Sequence, residues 1–350
     1  MWRKQRVTNG HSLCVLGVAR DSNGARQLCL LFMTATNSNP AGLGFNRELA
    51  STKYCGWNAI VLRQGPLELY IVPQIGGRLM GIRYCGQELC FINPGLAGVI
   101  PQLDGQPWQE LCQEWAFPLW GGGKTWVAPE SEWPGGAPQR DLDSGPYRVL
   151  HTWVEPTAMG VEMESSVCRQ SGLQIRRRIE LRAGKNSWTV LHGLTNRSVT
   201  ARRCGIWDVL MFRRPGIVTV LLDRGANVHG HDAVRIHEEK CSAKTVRSAG
   251  LLASDPAKVR VRCEQALQYK LGFEHVTGEI WVDLPMAQGV CRYRRFCEVS
   301  LAARYAHRQP VEVFNAPKLP YLEIETHGAY CRLAPGESVE YSVEEKVFSI

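Results

Sequence analysis

From Asn58 to the C-terminus, short runs rich in Val, Ile, Leu and aromatic residues alternate with turn residues at a spacing of roughly ten residues. Some runs alternate cleanly: Val161, Met163 and Ser165 are interleaved with Glu162, Glu164 and Ser166, as in a strand buried on one side. Others are apolar nearly throughout, which implies cover on both faces. The pattern predicts strands over residues 59–63, 67–72, 78–84, 88–92, 147–154, 160–168, 173–181, 187–194, 203–211, 217–222, 258–263, 278–282, 290–300, 311–314, 321–326 and 338–348. Helical periodicity is almost absent. So many strands without a linker predict an all-β, antiparallel architecture of two large sheets packed face to face, forming one domain over residues 51–350. Regular patterning starts only near Trp57, so residues 1–50 are expected to be a poorly ordered N-terminal extension.

Composition removes several classes of function. The apolar share is that of an ordinary globular protein, and no tract of 18 or more apolar residues offers a membrane span. The formal charge of +8 is modest, and the densest basic run, Arg176 to Arg178, would divide between two strand faces, so no nucleic-acid partner is expected. Thirteen cysteines without a C-x-x-C pair signal neither a disulfide scaffold nor a zinc site and favour a reducing cytoplasm. The short apolar runs near the N-terminus are interrupted by Arg20 and Asp21, so secretion is the lesser reading.

Five of the eleven tryptophans fall between Trp108 and Trp133, in a stretch broken by Pro118, Gly121, Gly122, Gly123 and Pro129. Such a segment is expected to be an irregular loop. Indole faces at Trp120, Trp126 and Trp133, beside Lys124 and Glu130, suit a pyranose, which has one apolar face and a rim of hydroxyls. The same tryptophans would equally serve to pin a long loop to the body.

Several segments together resemble the galactose mutarotase-like superfamily, over the region from about Trp57 to the C-terminus. They are LELYIVPQIGGRLMGIRYCGQELCFINP with Arg78, WGGGKTWVAPESEWP followed by DLDSGPY, LHGLTNRS, KLGFEHVTG with Lys270, and YLEIETHGAYCRLAPGESVEYSVEEKVF. The second of these marks a branch to which the resemblance attaches no activity. The resemblance implies an antiparallel β-supersandwich that binds or acts on carbohydrates. In aldose 1-epimerases a glutamate takes the anomeric proton and histidines supply the acid; Glu325, in the sequence E-T-H, stands at the position of that base.

Both epimerase histidines are replaced here, by Trp120 in WGGGK and by Arg197 in LTNRS. Neither an indole nor a guanidinium gives up a proton near neutral pH. Trp120 could stack on a sugar and Arg197 could hold a hydroxyl or ring oxygen. Glu323 and His327 alternate with Glu325 and so share its strand face, Glu323 as a coupled carboxylate and His327 as a reserve acid. His192, Lys124 and Lys270 are further donors, while Asp208, a single charge in the apolar run GIWDVLMF, either lines the site with Trp207 or meets an arginine such as Arg203. Asp141, Asp143, Glu130 and Glu132 lack the spacing of a calcium loop, and HGHD at His229 to Asp232 lacks a third ligand, so no metal and no cofactor is expected. Three readings stay open: a carbohydrate-binding protein with a pocket for a monosaccharide or glycan end, an aldose 1-epimerase-like isomerase using Glu325, and an interaction scaffold presenting exposed aromatics. The sequence leaves the oligomeric state open.

Overall fold

The computed structural model describes residues 17–20, 26–29 and 46–350, apart from 104–105, 224–229, 238–239, 249–251 and 301. The chain divides into two compact units, Met1–Leu43 and Gly44–Ile350. In the first, the described residues are a two-stranded hairpin, Gly17–Arg20 against Arg26–Cys29. Most of the extension expected over residues 1–50 lies outside the described residues, and the strand Arg47–Tyr54 belongs to the second unit.

The second unit is built from two antiparallel sheets. One runs, in spatial order, Leu252–Asp255, Lys258–Cys263, Gly216–Leu222, Val276–Pro285, Val290–Cys297, Ser338–Ser349, Ser187–Asn196, Leu173–Arg182, Ala158–Glu164 and Arg148–Val154. The other runs Val234–Ile236, Tyr269–Phe273, Val311–Asn315, Tyr321–His327, Arg202–Arg213, Gly123–Ala128, Arg78–Tyr84, Leu67–Val72, Trp57–Gln64 and Arg47–Tyr54, with two short strands added at its side. The ten-stranded sheet follows the alternation rule: in Ser187–Asn196 every second residue is buried, and Val161 and Met163 point inward while Glu162 and Glu164 do not. The twelve-stranded sheet is covered on both faces along its middle strands, where Tyr321–His327 is buried at every position.

Its inner face, carrying Leu210, Phe212, Val313 and Ile324, packs with Ile179 and Val190 of the facing sheet into the main core. Its outer face carries a separate aromatic cluster with Phe91, Trp126, Trp207, Val209, Met211 and Tyr321. No helix among the described residues is long and apolar enough to cross a membrane.

The tryptophan-rich stretch differs from expectation. It opens with the short helix Gln106–Cys112, and Gly123–Ala128 is a central strand between Arg78–Tyr84 and Arg202–Arg213, buried throughout. The glycines precede the strand instead of preventing it. Gly121 and Gly122 have positive φ, and a Cβ on Gly121 would lie 2.1 Å from the Phe91 carbonyl oxygen, so only glycine lets the chain turn this closely into the sheet. Residues 88–92, expected as a strand, pair regularly only at Gln87–Glu88, followed by isolated bridges at Cys90 and Ile92.

Candidate functional site

Strand register carries one set of side chains across the outer face of the twelve-stranded sheet. Lys124 lies opposite Val209, Val209 opposite Glu325, and Glu325 opposite Glu312. Two residues along, Met211, Glu323, Phe314 and Lys270 form the next row, and Trp126, Trp207 and His327 form a third. A two-residue step keeps side chains on the same face, so Gly123–Ala128, Tyr269–Phe273 and the consecutive strands Val311–Asn315 and Tyr321–His327 deliver their charges to one place.

The contacts are specific. Lys270 Nζ lies 2.9 Å from Glu325 Oε2 and 3.2 Å from Glu312 Oε2, and the Trp207 indole N–H donates to Glu325 Oε2 at 2.9 Å. Lys124 Nζ sits 3.6 Å from the centre of the Trp126 ring, a cation–π contact, and 4.0 Å from Glu323 Oε1. Arg78 holds Asp143 at 2.8 Å, and Asp143 in turn accepts the Trp126 indole N–H at 2.6 Å, which fixes the ring beneath the lysine. Trp133 stacks over Trp207 at 5.6 Å and meets Trp126 edge-on at 5.1 Å. Its N–H is held by the Val127 carbonyl oxygen at 2.7 Å.

Burial sets the electrostatics. Desolvation pushes the Lys124 ammonium down to about 8, against the opposing pull of Glu323. Desolvation also pushes the Glu323 carboxyl up to about 7, offset by Lys124 and reinforced by the like charge of Glu325. The two groups are therefore both poised close to neutral pH. Lys270 behaves oppositely: burial works against its charge, but Glu325 and Glu312 win, and its ammonium is held above the usual lysine range. Burial alone would raise Glu312, yet Lys270 and the histidines His237, His307 and His327 hold it well below the ordinary carboxylate range. His327 is pushed down by burial.

Of the residues singled out from sequence, the structure brings together Arg78, Lys124, Trp126, Trp133, Lys270, Glu323, Glu325 and His327, with Trp207. Glu130 lies exposed on the turn Glu130–Glu132, at the rim. Trp120 is not brought there: it is fully buried in an apolar cluster with Trp57, Val72 and Met80, because the turn at Gly121 and Gly122 directs it away from the sheet's charged rows. Arg197 is exposed on the other sheet and bonds Gln174 at 3.0 Å. His192 and Asp208 lie between the sheets, Asp208 on the inner face of the twelve-stranded sheet and His192 on the facing ten-stranded one. Asp208 meets Arg295 at 2.7 Å, not Arg203, and His192 bonds Thr125 at 2.8 Å. Asp141 pairs with Arg169, and the side chains of His229 and His231 lie outside the described residues.

Sequence reasoning missed Glu312, His307 and His237. Glu312 was legible by the rule applied to Asp208, as a lone carboxylate in the apolar run VEVF. His307 and His237 come from connecting segments, and no spacing announces them.

No family model and no curated protein matches the chain. Among solved structures it is similar to a candidate aldose 1-epimerase from Klebsiella pneumoniae, with TM-score 0.57 and 12% identity over 88% of this chain and 85% of that one. It is also similar to a mutarotase-related protein from Salmonella typhimurium (TM-score 0.52, 7% identity, 91% and 97% covered) and to a galactose mutarotase-like protein from Clostridium acetobutylicum (TM-score 0.50, 10% identity, 87% and 99% covered). The fold is thus the antiparallel galactose mutarotase-like fold that the sequence led us to expect.

Proposed function

We propose that the chain binds an uncharged monosaccharide, or the end of a glycan, on the outer face of the twelve-stranded sheet. The observation that carries this reading is the convergence of three indoles, Trp126, Trp133 and Trp207, on the two adjacent rows that carry Lys124, Glu323, Glu325 and Lys270. Indole faces offer stacking area, and the charged rim offers both donors and acceptors for hydroxyls. Charge balance supports a neutral ligand: Arg78 is matched by Asp143, Lys124 by Glu323, and Lys270 by Glu325 and Glu312. Among the described residues of this face, these pairings leave no surplus cation for a sugar phosphate or sugar acid. The Trp133 ring now covers Trp207, so a ligand reaches that face only by displacing it. An interaction scaffold would need an exposed aromatic patch, whereas Trp108, Trp120 and Trp126 are buried and Trp115 and Trp133 half-buried.

A second reading, proton transfer at the anomeric centre, is favoured by one observation: Glu323 and Lys124 stand as a base and an acid poised near neutrality. In it Glu323 replaces Glu325 as the base. Glu325 already accepts from Trp207 and Lys270 and keeps the site in shape.

Calorimetric titration with neutral sugars, sugar acids and sugar phosphates tests the first reading. A neutral sugar should bind, and Lys124→Met should weaken it by roughly tenfold or more. Preference for an anionic sugar, or equal affinity in Lys124→Met, would overturn it. NMR exchange between anomers tests the second: the wild type should accelerate exchange, and Glu323→Gln should lower the rate by about a hundredfold or more while retaining binding.

A further inference from the structure

Beyond the sugar site, four side chains crowd onto one buried carboxylate. Glu312 is fully enclosed, and its Oε2 lies 2.9 Å from His307 Nδ1, 3.0 Å from His327 Nε2 and 3.2 Å from Lys270 Nζ. His237 Nε2 lies 3.1 Å from Oε1. One carboxylate oxygen has two lone pairs in its plane, so three donors on Oε2 exceed what it can accept with good geometry. A metal ion removes the conflict, since each ring nitrogen then gives a lone pair to the cation instead of a proton to the oxygen.

The geometry points to a transition-metal site formed by His307, Glu312 and His327, with His237 or a solvent molecule as the fourth ligand. The donor atoms of the first three all lie within 4.8 Å of one another. A tetrahedral zinc site with bonds of about 2.0–2.1 Å has donor atoms roughly 3.3 Å apart. The two histidine–carboxylate separations of 2.9 and 3.0 Å need to widen by only a few tenths of an ångström, and the two histidine nitrogens already lie within 4.8 Å of each other. Two or three imidazoles and one carboxylate select Zn2+ or a neighbouring first-row ion over Ca2+ or Mg2+, which prefer all-oxygen shells. Trp207 holds both rings, stacked with His327 at 5.6 Å and edge-on to His307 at 4.5 Å. Lys270 has Glu325 as a second partner at 2.9 Å and can stay there when a cation takes Glu312. The His307 and His237 side chains keep 11% and 17% of their surface exposed, which gives an ion a route in. This inference stands on these residues alone and survives if no sugar binds.

The test uses the full chain, stripped with EDTA and titrated with Co2+ and Zn2+, following the visible absorption of Co2+ and heat. One equivalent should bind with the spectrum of a tetrahedral nitrogen and oxygen site. His307→Ala, a substitution at the partly exposed ligand, should weaken binding by more than the ~10–100-fold that loss of an outer-shell partner costs, with an unchanged circular dichroism spectrum. His327→Gln should behave likewise, whereas His151→Ala, on the other sheet, should bind as the wild type does. Absence of stoichiometric uptake, a thiolate-to-cobalt charge-transfer band marking the exposed Cys55 and Cys85, or wild-type affinity in His307→Ala would each overturn the site.

Discussion

Two groups of buried charge lie back to back on opposite faces of the same two strands, Arg202–Arg213 and Tyr321–His327. Between the sheets, Arg295 spans Asp208 at 2.7 Å and Glu345 at 2.5 Å, and the Tyr293 hydroxyl donates to Glu345 at 2.6 Å. Arg177 beside them donates to the carbonyl oxygens of Gly77 and Gly123. These charges are locked by short, directed bonds within the protein. On the outer face, Lys124 and Glu323 approach no closer than 4.0 Å, and an indole face, not a hydrogen bond, receives the lysine. Both groups are buried, although Glu323 and Lys270 on the outer face keep 10% and 11% of their side-chain surface where the inner charges keep 3% or less. What separates the two groups is the geometry of the pairs: Arg295 meets its two carboxylates at 2.7 and 2.5 Å, whereas Lys124 and Glu323 stand 4.0 Å apart and leave room for a ligand's hydroxyl between them.

That contrast can be broken by substitution. The largest effect is expected at the inner network, where Asp208→Ala leaves two buried guanidinium groups, Arg177 and Arg295, with Glu345 as their one remaining nearby carboxylate among the described residues and should lower stability by about 3–5 kcal/mol in urea unfolding. A loss below ~1 kcal/mol would mean that the inner charges are as loosely held as the outer ones.

A smaller effect, read as a pH profile, belongs to Lys124 and Glu323. The raised Glu323 carboxyl contributes stability at low pH that is lost as pH rises from its unfolded range near 4.5 through about 7. The lowered Lys124 ammonium contributes stability at high pH that is lost as pH falls from its unfolded range near 10.5 through about 8. Arg78, Asp143, Glu325, Lys270 and Tyr321 face the pair and bias both titrations. The pair's contribution should therefore be lowest between about 7 and 8. Glu323→Gln should flatten the acid-side slope of urea midpoints against pH, and Lys124→Met the alkaline side. Superimposable profiles for wild type and both variants would show that the outer pair is not poised as described.

The smallest effect is expected at Arg197, which is exposed and whose side chain bonds Gln174. Arg197→Ala should change stability by less than about 0.5 kcal/mol and leave sugar affinity unaltered. A loss of binding there would move the site to the other sheet.

Much of this was readable before any coordinates. Alternation over 321–326 places Glu323, Glu325 and His327 on one face, because strand geometry fixes that relation locally and needs no knowledge of neighbours. The sixteen predicted runs likewise contain most strands of both sheets, since apolar periodicity records which side of a strand is covered. What lay beyond reach was long-range. Gly123–Ala128 escaped because glycines that usually end a strand here make the turn into one. Which of two polar strand residues faces solvent, a ligand or the facing sheet is set by the partner layer, so the side to which Asp208, a lone acid in an apolar run, and Glu325, one of two alternating acids, would turn could not be read until the sheets were stacked. Glu312, His307 and His327 meet only after the Val311–Asn315 strand aligns beside Tyr321–His327 and the preceding segment folds back over both. The alternating chain thus determined what each strand could hide, and the packing of strands far apart in sequence decided which charges share a space and which remain available for chemistry.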